Sequence, residues 1–202
     1  MFRSTAFKLH LLLSCAFALL LVLCAAHGLH PLGTLAVGGT MAMFIGPCYN
    51  VTNNGVSIST AITVVQVKAG VNGAIEILRA ALTNGTAATS AQYAAALFRK
   101  TAAATVTTGV AGTTVLKQNP VNPTTDAALS TTGTGITASA EGTNGEEFVS
   151  DGFNDLNGFL WLPAQEERLM VPQSGILGLT YLVAPQSATR YGRIVWRELR
   201  GG

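Results

Sequence analysis

Apolar and polar residues alternate along most of the chain after position 45. That two-residue period marks strands with one face in a core and the other toward solvent. In GVSISTAITVVQVKAG, Val56, Ile58, Ile62 and Val64 fall on one face and Ser57, Ser59, Ala61 and Thr63 on the other. Its β-branched side chains suit a pleated surface, so a single continuous strand is predicted here. GILGLTYLVAP repeats the pattern, with Leu177, Leu179, Tyr181 and Val183 on one face and Pro185 as the stop. YGRIVWREL sets Ile194 and Trp196 against Arg193, Val195 and Arg197. With Arg190 and Arg200 nearby, this reads as a strand close to a sheet edge, where charges block unwanted pairing. GFLWLP and RLMVP are short apolar runs closed by Pro163 and Pro172, as expected of strands that end at a sandwich corner.

Two segments, AIEILRAAL and SAQYAAALFRKTAAA, fit a helical face as well as an alternating one. Their Asn-Gly boundaries and β neighbours favour strands. Asn-Gly pairs recur at Asn54-Gly55, Asn72-Gly73, Asn84-Gly85, Asn144-Gly145 and Asn157-Gly158. Both residues tolerate positive φ, so tight type I′ hairpins are expected at these points. From Thr101 to Thr143 the chain is rich in Thr, Ala and Gly, and LKQNPVNPTTDAA carries two Asn-Pro pairs. These predict an extended surface loop, and a loop this long is usually functional or a contact arm. On that reading, shortening residues 110–128 leaves folding intact and weakens assembly. Together the pattern predicts an all-β protein, an antiparallel β-sandwich over residues 43–200.

A hydrophobic segment stands outside that fold. Residues 1–40 begin with Arg3 and Lys8 and no acid, then run apolar from Leu11 to Ala26. This is the layout of a secretory signal ending near Ala25 and Ala26, and it is somewhat short for a membrane span. A second reading is that GGTMAMF encodes a ribosome-binding sequence ahead of Met41 and Met43, so that residues 1–40 are upstream DNA read through an early start. Of 12 Lys and Arg and 10 Asp and Glu, only Arg3 and Lys8 precede position 41, which leaves the body neutral. It has no basic cluster of the kind that displaces counterions from phosphates, so nucleic acid is not an expected partner. The three histidines, His10, His27 and His30, all lie in the leader. Imidazole ligation of a metal and His-activated nucleophiles are therefore closed to the body. Cys15 and Cys24 also belong to the leader, and Cys48 reads as a small packed residue rather than a reactive thiol.

The acids gather at Glu146, Glu147, Asp151, Asp155, Glu166 and Glu167. Asp151 and Glu166, with Trp161 as a stacking platform, match the residue types of a glycosidase. PAQEER, however, reads as an exposed turn with Glu166, Glu167 and Arg168 solvated. Asp151, Asn154, Asp155 and Asn157 supply oxygen ligands for calcium, but not the alternating register or closing Glu of a calcium loop. The alternative makes Asp151 and Asn157 turn formers, with Phe153, Phe159, Trp161 and Leu177 buried and the acids outside. Gly133 and Gly135 lack the third glycine, the helix and the acid of a dinucleotide site. No catalytic, cofactor-binding or metal-binding residue is therefore assigned, and no cofactor is expected.

The order of IEILRAALT, QYAAALFRKT, LKQNPVNPTTDAA, DGFNDLNGFLWLP, VPQSGILGLTYLVAP and a closing strand resembles small β-sandwich virion structural proteins of tailed phages and virus-like genomes. The resemblance spans roughly Met43 to Leu199. It implies a jelly-roll-like fold and a capsid, decoration or head-associated protein, located in the virion. Such a protein is not an enzyme and works by contacts with itself, as a homo-oligomer, and with other virion proteins. It needs no membrane for the body. The leader departs from this pattern, since virion proteins need no export signal. The alternative is a secreted or surface-bound β-sandwich that binds carbohydrate or acts in adhesion.

Overall fold

The computed structural model describes residues 46–86 and 90–200. The leader at 1–40 and both candidate starts, Met41 and Met43, lie outside the described residues. Thirteen strands follow in order: β1 Cys48–Thr52, β2 Val56–Ile58, β3 Thr63–Lys68, β4 Gly73–Asn84, β5 Gln92–Ala102, β6 Thr105–Thr108 and β7 Val115–Lys117, then β8 Gly135–Ala140, β9 Thr143–Asn154, β10 Phe159–Trp161, β11 Met170–Val171, β12 Ile176–Tyr181 and β13 Ala188–Arg200. The only helical element among the described residues is one 3-10 turn at Gln165–Glu167.

The strands form two antiparallel sheets packed as a sandwich. The first runs β10-β4-β13-β1-β7, with β11 also on β4 and β2 also on β13, and the second runs β6-β8-β3-β12-β5-β9. Eight strands carry the architecture: β1, β3, β4, β5, β9, β10, β12 and β13. Numbered one to eight, they pair first with eighth, second with seventh, third with sixth and fourth with fifth. The chain is thus one long ribbon doubled back at residues 103–142. It is then rolled so that β13 meets β4 and β12 meets β5. The antiparallel sandwich expected from the sequence pattern is thus rolled in a jelly-roll-like way.

The core lies between the sheets. Ile194 and Trp196 of β13 face Leu177, Leu179 and Tyr181 of β12, with Ile75, Ile77 and Leu82 of β4 and Leu97 of β5, all essentially sealed from solvent. Full burial of aliphatic side chains like these contributes on the order of 2–3 kcal/mol each. Trp196 packs on Tyr49 at one end, with ring centroids 5.9 Å apart. Tyr93, Phe153, Phe159 and Tyr181 interlock at centroid distances of 6.1–6.4 Å. Gly192 is what lets the sheets approach along β13, because a Cβ there would lie 2.6 Å from Val64 Cγ1 and 2.8 Å from Val65 Cγ2.

Several sequence expectations change. The segment read as one strand over residues 55–70 breaks at Ser59–Ile62 into β2 and β3, which belong to different sheets. The β13 segment is not near an edge: it sits between β4 and β1 in the sheet centre. Its arginines are tolerated because Arg190 and Arg197 are neutralised by Asp155 and Glu76. Val183 lies beyond the end of β12 and is exposed. The two alanine-rich segments are strands, β4 and β5, as expected.

Asn144-Gly145 is inside β9 rather than at a turn. None of the Asn-Gly pairs forms a type I′ hairpin, since no asparagine among the described residues has positive φ. Gly55 and Gly158, at φ 87 and 73, do need glycine's freedom. The expected loop from Thr101 to Thr143 instead contains β6, β7 and β8. Part of it covers the outer face of the second sheet. The buried Gln66 side chain donates to Gly133 O at 2.7 Å and accepts from Ala104 N at 2.9 Å. That cover explains why β3 is buried on both faces.

Candidate functional site

Four polar clusters contain all the buried charged residues among the described residues: Glu76, Lys100, Asp155, Arg190 and Glu198. In the first, Arg190 of β13 and Asp155 just after β9 are both buried, at 0% and 1% exposure, and form an ion pair that joins the two sheets. Asn84 Nδ2 donates to Asp155 Oδ2 at 3.2 Å, and Arg190 Nη2 donates to Gln186 O at 3.0 Å. The guanidinium stacks over the rings of Tyr93 and Tyr181 at 5.4 and 6.0 Å. Burial draws its pKa below the ordinary value, against the pull of Tyr93.

Burial, reinforced by Tyr93, pushes the Tyr181 phenol up to about 12 from 10. A phenol whose folded pKa is raised favours the folded state fully below pH 10. That contribution is lost as pH rises from 10 toward 12, when the unfolded chain ionises first. We therefore expect stability to fall across that window by about 3 kcal/mol, and Tyr181→Phe to flatten the decline. Urea denaturation at a series of alkaline pH values measures both.

The second cluster lies on the outer face of the first sheet. Glu76 accepts Arg197 Nε at 2.7 Å, with Arg197 Nη2 on the same oxygen, and Arg168 Nη1 at 3.4 Å. Arg168 is therefore half-buried and paired rather than solvated. Cys48 is the cross-strand neighbour of Arg197. Burial pushes its thiol up, against the lowering effect of Arg197, which keeps it protonated at neutral pH.

In the third cluster, buried Glu198 accepts Thr125 Oγ1 at 2.5 Å and Asp126 N at 2.7 Å, and so ties the proline-rich segment to β13. In the fourth, Lys100 Nζ donates to Glu141 Oε2 at 3.1 Å and Asn144 Oδ1 at 2.8 Å. Glu141 also accepts Thr63 N and, at 2.7 Å, Thr63 Oγ1.

The residues weighed as sites from the sequence are scattered by the fold. Asp151 lies on edge strand β9 of the second sheet, whereas Glu166 sits in the 3-10 turn after β10 of the first. Trp161 faces inward, half-buried against the core, and offers no open platform. Of the calcium set, Asp155 is committed to Arg190 and Asn84. Asn154 is committed to Ser90 Oγ at 2.6 Å and Leu156 N at 2.9 Å. Among the described residues no group of three His, Cys, Asp or Glu is placed to hold a metal ion. Asp155 is buried, contrary to the expectation that the acids of this stretch lie outside. Glu146, Glu147 and Asp151 are exposed on β9, a 12-residue strand paired on one side only. Charges there guard an open edge against stray pairing.

A cavity of about 260 Å³ opens beside Tyr49, Val115, Lys117 and Thr125. It falls below the roughly 300–1,000 Å³ usual for small-molecule sites. Exposed apolar surface is more suggestive. Leu160 on β10, Leu162 just after it and Met170 on β11, at 58%, 69% and 46% exposure, lie at one margin of the first sheet. Comparison with protein-family models, with curated proteins and with solved structures finds no match to this chain.

Proposed function

We propose that the chain is a structural assembly protein of a phage virion, a capsid decoration or head-associated component that acts by contacts with copies of itself and other coat proteins. The observation that carries this reading is the leucine margin. Leu160 and Met170 are presented to solvent on two short strands that pair only with β4, with Leu162 exposed just after the first of them. Large apolar groups exposed along one margin of a sheet are a mark of interaction surfaces. The rolled ribbon supports the same reading, since jelly rolls recur in viral capsid domains, though also in lectins.

Charge complementarity favours a second copy as the occupant. Arg79 is exposed on β4 beside this margin, and the free edge β9 of each chain carries Glu146, Glu147 and Asp151. A head-to-tail contact between the acidic edge of one copy and the leucine margin of the next is heterologous, the kind that closes into a ring where the rotation between copies permits. The proposal assigns no turnover of an external substrate.

Terminal sequencing of the chain from its native source tests the virion reading. A start at or near Met41 or Met43, in chains recovered from purified particles, is the expected result. A mature chain that begins after Ala26 and is found free in the medium would favour the secreted, carbohydrate-binding or adhesive alternative.

A further inference from the structure

We propose that Lys100 and Asn144 become joined by an intramolecular isopeptide bond, with Glu141 carrying the protons. This modification is independent of the assembly reading. The two residues face each other as cross-strand partners on β5 and β9. Lys100 Nζ lies 2.8 Å from Asn144 Oδ1. With a carbonyl bond of about 1.23 Å, this places the amide carbon within about 4 Å of the amine. A near-attack approach of about 3–3.5 Å is a shift of roughly half to one ångström from that limit.

The surroundings suit the chemistry. The Lys100 side chain is completely buried, while that of Glu141 is about one-third exposed. The lysine stem runs over Gly178 of β12, where a Cβ would come within 2.5 Å of Lys100 Cε. The glycine thus gives the amine a fixed path across the strand to its partners. Glu141 Oε2, 3.1 Å from Nζ, is locked by Thr63 Oγ1, which in turn contacts Thr180 Oγ1 at 3.1 Å. A carboxylate held by hydroxyl and backbone donors beside a buried amine is a positioned proton acceptor. Asn144 lies on the exposed side of the cluster, which gives the leaving group a way out.

The reaction balances without any co-reactant. Glu141 takes one proton from the Lys100 ammonium, and the freed lone pair on Nζ bonds to Asn144 Cγ as the carbonyl π pair moves onto Oδ1. Glu141 then returns that proton to the amide nitrogen, accepts the second proton from Nζ, and passes it to the departing ammonia. The carbonyl re-forms, and the bond from Cγ to Nδ2 breaks. Nitrogen departs as ammonium, Glu141 ends as carboxylate, and nothing is oxidised or reduced. The product closes residues 100–144 into a covalent loop and clips the free edge strand β9 to its only neighbour in the sheet.

Intact-mass spectrometry and peptide mapping of the purified, folded chain test this. The expected result is a mass lower by one ammonia, about 17 Da, with a branched peptide that joins the Lys100 and Asn144 segments. Lys100→Arg and Glu141→Gln, each confirmed as folded by a cooperative melt, are expected to show full mass and no branched peptide. Two results would overturn the proposal. One is a folded wild-type chain whose Lys100 and Asn144 separate on digestion. The other is the same mass loss with no branched peptide, which is succinimide closure at Asn144-Gly145. Undiminished linkage in folded Glu141→Gln would overturn the role given to Glu141.

Discussion

Asp155→Ala is expected to lower the unfolding free energy by about 3–5 kcal/mol, because it strands the buried Arg190 guanidinium without a counter-charge. The size of the effect follows from the surroundings. Arg190 is fully buried between the sheets, its pKa already depressed by burial, and its other contacts are with a backbone carbonyl, the Tyr93 hydroxyl and two aromatic faces. None of these replaces a carboxylate. The same substitution leaves Asn84 Nδ2 without its acceptor. Replacing both ionic partners with apolar residues, Asp155→Leu with Arg190→Met, is expected to recover much of the loss, since the desolvation cost disappears with the charges. Urea denaturation of the two variants beside wild type measures the difference. A loss under about 1 kcal/mol for Asp155→Ala would mean that the pair is solvated and weak.

Deleting residues 110–128 is expected to abolish cooperative folding, the reverse of what the sequence suggests for a dispensable arm. The segment contributes β7 to the first sheet, with Val115 and Ala127 buried in the core. Tyr49 Oη donates to Pro123 O at 2.9 Å, and Asn122 Nδ2 donates to Cys48 O at 3.1 Å. Glu198, at 2% exposure, would lose Thr125 and Asp126 together. Each hydrogen bond lost to a buried carboxylate costs about 1.5–3 kcal/mol, so the pair is a large share of the roughly 5–15 kcal/mol that hold a domain folded. Circular dichroism melting of the deletion variant is expected to show no cooperative transition. A sharp melt near the wild-type midpoint would return the segment to the status of a loose arm.

The strands were legible wherever alternation ran against solvent. β4, β5, β10, β11 and β12 follow the period of Ile75, Tyr93, Phe159, Val171 and Leu177, and the sandwich class follows from them. What alternation does not carry is pairing. The expectation of local hairpins rested on Asn-Gly, yet the ladders join strands far apart in sequence, such as Cys48 with Arg197 and Ile176 with Lys68. A glycine pair shows where the chain can bend, not which strand receives it.

Charge misled in a similar way. Four arginines in one strand read as an edge, because nothing in the local sequence reveals that Asp155 and Glu76 come in from other strands to neutralise two of them. The fourth cluster was hidden for the same reason. Lys100, Glu141 and Asn144 are separated by some forty residues of Thr, Ala and Gly, and Asn144-Gly145 looks like a turn. The one available signal was a lysine at the end of an apolar run, on the side of the strand opposite Arg99.

Sedimentation velocity of the purified chain, compared with a Leu160→Glu, Leu162→Glu double variant, tests the assembly account most directly. Both positions are solvent-exposed, so the variant is expected to keep its fold. Wild type is expected to sediment as a discrete oligomer at micromolar concentration, weakened by salt, and the variant as a monomer. A wild-type chain that stays monomeric throughout, or an oligomer that the two glutamates leave unchanged, would contradict it.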